Sequence, residues 1–119
     1  MTFTTKEQIA IHYLVQELIK ADGLVLPVEN VCWNTVSLKM KWPEPDADEL
    51  AAFNMEKALA VLDLMDEEKK RFAKAFFKMI ILADERIAPE EQALLNRIND
   101  AAHLPILSIA DATKLLEHV

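Results

Sequence analysis

The sequence predicts an all-α domain: a compact helical bundle of about six helices, built from a three-helix unit duplicated about a pseudo-twofold axis. Three observations predict it. Gly23 is the one glycine in 119 residues, whereas all-β folds need many tight turns and therefore many glycines. Helix formers such as Ala, Leu, Glu and Lys dominate the composition. Helix starts and stops of the first half recur at a fixed offset in the second. With 52% apolar residues the chain can bury a core as one domain, residues 1–119, without disulfide or metal staples.

The first helix is expected to begin after Thr4 or Thr5, because Thr4-x-x-Glu7 and Thr5-x-x-Gln8 both have capping-box spacing. Ile11, Leu14, Val15, Leu18 and Ile19 then recur at helical spacing, and Asp22-Gly23 stops the run. Pro27, with its fixed φ and missing N–H, opens a second helix that carries Cys32, Trp33, Val36 and Met40 and ends at Trp42-Pro43. Cys32 is the one cysteine, so no disulfide forms within the chain, and it reads as a small buried hydrophobe. After an acidic loop, Glu44-Pro45-Asp46, a third helix is expected with Asp46-x-x-Glu49 as its cap pair. From Leu50 to Met65 it is apolar on most of its circumference, which places it in the middle of the domain. Glu49, Glu56 and Asp63 form its narrow polar strip, read as a solvated face.

The fourth helix opens at Asp66, carries Phe72, Phe76, Phe77, Ile80 and Ile81, and ends near Asp84. The fifth opens at Pro89 and buries Leu94, Leu95 and Ile98 before Leu104-Pro105. Ser108-x-x-Asp111 caps the sixth. An offset of 62 residues places the second half on the first without a gap. It pairs Ala21-Asp22 with Ala83-Asp84, Pro27 with Pro89, Glu29 with Glu91, Asn34 with Asn96 and Trp42-Pro43 with Leu104-Pro105. The caps coincide too: Thr4 with Asp66, and Asp46 with Ser108. The repeat units are about 4–57 and 66–119.

A net charge of −7 works against nonspecific nucleic-acid binding, which needs clustered Lys and Arg. No secretory signal or apolar run of membrane-spanning length is visible, so a cytoplasmic location is expected. One glycine cannot build a phosphate-binding loop. His12, His103 and His118 show no zinc-hydrolase spacing; His12 is placed on the polar side of the first helix and His103 at a helix C-terminus, facing the negative dipole end.

Each half carries Ala-Asp, a short turn, then Pro-x-Glu. In the structural reading the Asp satisfies free N–H groups of the turn, and the Glu, at the third position of the next helix, faces its positive dipole end. In the functional reading, Asp22, Glu29, Asp84 and Glu91 meet across the pseudo-twofold and offer four oxygens to a divalent cation. An EF-hand is excluded, since its two upstream ligands would fall on Leu18 and Lys20.

The doubled Ala-Asp-(Gly)-x-apolar-x-Pro-x-Glu signature, each copy joining two amphipathic helices, resembles the TerB-like (tellurite-resistance protein B-like) helical family. The match covers the first and second helices and again the fourth and fifth, with Glu85-Arg86 where the family carries a glycine-containing turn. The resemblance implies an all-helical fold and a bacterial accessory role in tellurite and other chemical stress, without established catalysis. It carries over to Asp22, Glu29, Asp84 and Glu91.

Lys70, Arg71, Lys74 and Lys78 are spaced to form a basic ridge, either solvated and paired with Asp66 and Glu67 or offered to an anionic partner or membrane surface. The expected function is that of a non-catalytic helical interaction module acting through a protein partner or a second copy of itself. Two alternatives stay open at this point: a divalent-cation sensor using the acidic turns, and an enzyme with a carboxylate site between the repeats.

Overall fold

Among the described residues seven helices form, in the order α1 (Thr5–Lys20), α2 (Pro27–Lys39), α3 (Ala47–Ala51), α4 (Met55–Asp63), α5 (Glu67–Leu82), α6 (Pro89–Ala102) and α7 (Ile109–Glu117). The structure, a computed structural model, describes residues 2–21, 27–82 and 89–117, with the side chains at 27–30, 32 and 82 outside the description. No strand occurs among the described residues. The expected stop at Asp22-Gly23, the side chain of Cys32, and His118 fall outside them.

The capping box at the start of α1 forms in full: the Glu7 N–H donates to Thr4 Oγ1 at 3.1 Å, and the Thr4 N–H donates to Glu7 Oε1 at 2.8 Å. Asp66, Asp46 and Ser108 each accept the N–H three residues on, at the starts of α5, α3 and α7. The centre of the molecule is the pair α1 and α5. Ile11, Leu14 and Leu18 from α1 meet Phe76, Phe77 and Ile80 from α5, all fully buried.

The expected third helix is broken in two. Asn54 is extended (φ −136°, ψ 177°), and its side-chain oxygen accepts the Lys57 N–H at 2.8 Å, so the chain leaves the helix after Ala51 and restarts at Met55. A short amide side chain competes with the backbone for its own hydrogen bonds and thereby favours a cap over a helix interior. As a result α3 buries nothing, and α4 buries Ala58, Leu59 and Leu62. The middle position expected of this segment belongs to α1 and α5. Nor do Glu49, Glu56 and Asp63 share one helix face, because Glu49 lies on α3 and the other two on α4.

Two helix stops match at the offset of 62. Lys41 (φ 59°) and His103 (φ 55°) are both left-handed after α2 and α6. The next N–H, of Trp42 or Leu104, reaches back 3.0 Å to the carbonyl of Ser37 or Asn99. Such a bond satisfies carbonyls that the helix end leaves free, and Pro43 and Pro105 prevent continuation. Packing follows the same rule: α1 packs on α2, α4 and α6, while α5 packs on α6, α7 and α2. Glu7 and Lys69, themselves 62 apart, meet at 2.8 Å between α1 and α5. One difference bears on function: α6 is flanked by α4 as well as by α1 and α5, whereas the packing around α2 comes from α1 and α5.

Candidate functional site

Of the four acids expected to share a cation, Asp22 and Asp84 lie outside the described residues, as does the side chain of Glu29. Glu91 stands in the first turn of α6 and is 1% exposed. Among the described residues no group of three or more His, Cys, Asp or Glu is placed to hold a metal ion.

The expected basic ridge does not form as one exposed face. Lys70 and Lys74 are buried, Lys78 is half-buried and Arg71 is exposed. Lys70 turns to Asp63 (3.4 Å) rather than to the acids one turn earlier, and Lys74 donates to Asn99 on α6 at 2.6 Å. A lysine stem on the flank of a packed helix lies along apolar neighbours and carries its ammonium to whichever oxygen is nearest. Here those oxygens come from α4 and α6. His103 ends α6 as expected, but its partner is a side chain: Nδ1 lies 2.8 Å from Asp63 Oδ1. That hydrogen bond, opposed by desolvation and helped by Lys70, holds the Asp63 carboxyl below its usual range.

An opening that the sequence did not reveal lies between the N-terminal half of α1, the C-terminal half of α2 and the segment 42–45. It encloses about 470 Å³, within the range of ligand-binding clefts. Its walls include His12, Trp33, Leu38, Trp42, Glu44 and Glu49. Aromatic rings back it. Trp33 and Trp42 meet edge to face at 6.0 Å, and both pack against Phe76 of α5, at 6.1 and 5.6 Å. Phe3 adds a further edge contact to Trp42 at 5.3 Å. Edge-to-face pairs of this kind favour a defined ring orientation as well as burying area.

His12 is half-buried here rather than on an open polar face. Trp33 Nε1 donates to His12 Nδ1 at 3.1 Å, which leaves the imidazole proton on Nε2. Burial pushes the imidazole below its ordinary pKa, while Glu44 pulls the other way. His12 is therefore neutral and engaged. The Ser37 hydroxyl donates to the Asn34 carbonyl at 3.1 Å, so no base activates it. This arrangement suits binding: a wall of packed aromatic rings, an exposed Leu38 and two carboxylates at the margin. Sequence patterning missed the cleft because Trp33 read as one of the second helix's core residues and Trp42-Pro43 only as its stop; the available signal was a tryptophan at the Pro-terminated end of a helix, followed directly by an acidic loop.

Neither a protein-family model nor a curated protein matches the sequence. Among solved structures, a protein of unknown function from Porphyromonas gingivalis W83 is similar, with a TM-score of 0.83 and 23% sequence identity over 98% of this chain and 92% of that chain. That likeness shows the fold, an all-helical globule, shared over nearly the full length of both chains.

Proposed function

We propose that the chain is a non-catalytic helical interaction module of the TerB-like type, associated with bacterial stress physiology, which docks a protein partner on α2 and in the adjoining cleft. One observation carries the reading: α2 exposes two large apolar side chains on its outer side. It buries Trp33 inward, yet Val31 and Leu38, seven residues apart and so on one face, are 62% and 77% exposed. Exposed large apolar side chains beside a preformed cleft suit a protein-docking surface.

The test is affinity capture from the native host, with wild type and Leu38→Asp run side by side. A partner retained by wild type and lost by the variant, with the far-UV circular dichroism and melting temperature of the two unchanged, is the expected result. If both retain the same proteins, docking through α2 is refuted.

A further inference from the structure

Resting on that docking reading, we infer that the cleft selects a cationic polypeptide segment, with an apolar side chain seated against Trp42 and Leu38 and a neighbouring Lys or Arg held by Glu44 and Glu49. Both carboxylates line the opening, and among the described residues no lysine or arginine does. Neither forms an ion pair with another described residue. The remaining titratable wall group, His12, accepts the Trp33 indole N–H at Nδ1 and so brings no positive charge. The net charge of −7 extends the attraction beyond the cleft and raises the local concentration of cationic segments.

The same facts argue against a second copy of this chain as occupant. Two such molecules repel through their net charge, and three lysines of α5 are already engaged. Lys70 and Lys74 of α5 are buried against Asp63 and Asn99, and Lys69 is taken by Glu7.

The second half of the chain offers a comparison. Counting 62 residues on, His12 corresponds to Lys74, Ser37 to Asn99, Glu44 to Ile106 and Pro45 to Leu107. At those positions of the second half Leu107 is buried, and the Lys74 ammonium donates to Asn99. The first half carries Pro45 and the uncharged His12 imidazole at the positions where the second half has the buried Leu107 and the Lys74 ammonium, so it supplies no cation of its own to the cleft wall.

Trp33 and Trp42 are the two tryptophans of the chain, and both line the cleft, so intrinsic fluorescence reports its occupancy. The experiment titrates the full chain with three synthetic peptides that share the same leucines and differ only in bearing Lys, Gln or Glu at the charged positions. The Lys peptide is expected to bind about tenfold more tightly than the Glu peptide at low salt, with the difference shrinking as salt rises. Glu44→Gln with Glu49→Gln should reduce the Lys peptide to the affinity of the Gln peptide. The charge-matched control, Glu67→Gln with Glu68→Gln on exposed positions of α5, should leave the preference in place. Equal binding of all three peptides, or an equal loss in the control, overturns the cationic preference while docking survives. If no peptide alters the fluorescence of any variant or the calorimetric heat of mixing, the docking reading falls with it.

Discussion

Trp33 and His12 hold one another in place across 21 residues of chain. Trp33 is 1% exposed, so without His12 its indole N–H would be buried unsatisfied, at a cost of about 1–3 kcal/mol. His12→Phe should destabilise the protein by about that amount, whereas His12→Asn, whose Oδ1 lies near the position of Nδ1, should recover part of the loss. Burial first, and Glu44 in the opposite sense, set the imidazole pKa below its ordinary value. The unfolded chain therefore binds a proton at His12 more readily than the folded one. The His12 contribution is present above about pH 6.5 and is lost as pH falls from there toward the lower folded-state value. Urea midpoints at pH 7.5, 6.5 and 5.5 should decline in wild type and decline less in His12→Asn; parallel slopes would refute the assignment. Asp63, held low first by its His103 hydrogen bond, loses its contribution only in the more acidic carboxylate window. At this scale the sequence showed the partners three residues apart, such as Thr4 with Glu7. It concealed those set by packing, such as Lys74 with Asn99 and Trp33 with His12, because nothing local encodes them.

Helix ends were the most legible elements. Thr4, Asp46, Asp66 and Ser108 all cap as their spacing predicts, and Pro27 and Pro89 open helices as a missing N–H allows. The break at Asn54 was hidden because apolar periodicity continues through it, and one amide side chain outweighs that pattern only when its cap geometry is met. The stops at Lys41 and His103 were placed by the following prolines, but their left-handed backbone was not, since neither residue is glycine. A side chain with a Cβ costs roughly 1–2 kcal/mol in that region, partly offset by the extra freedom glycine brings to the unfolded chain. Lys41→Gly should accordingly stabilise the protein by about 0.5–1 kcal/mol, seen as a higher urea midpoint at constant slope. A fall in the midpoint would mean that the lysine stem contributes packing that the backbone argument omits. His103→Gly is the poorer test, because it also removes the bond to Asp63.

The halves are interlocked, so the whole molecule should behave as one cooperative unit. α1 packs on α5 and α6 as well as on α2 and α4, and α5 packs on α1 and α2 as well as on α6 and α7. The aromatic wall of the cleft crosses the same boundary, with Phe76 of α5 behind Trp33 and Trp42. Glu7 and Lys69 close it at 2.8 Å. A fragment of residues 1–65 would therefore expose the α1 face formed by Ile11, Leu14 and Leu18, and would lose the ring that fixes both tryptophans. The complementary fragment 66–119 would expose Phe76, Phe77 and Ile80. A chain of roughly 60 residues has little surplus apolar burial to set against conformational entropy, so neither fragment should show a cooperative thermal transition alone. Mixing the two should restore helical circular dichroism and the tryptophan emission of the intact chain. The intact chain should unfold in one transition that coincides by fluorescence and circular dichroism. A fragment that melts cooperatively by itself, or an intact chain with two separate transitions, would show that each half carries its own core and that the contacts of α5 with α1 and α2 are dispensable.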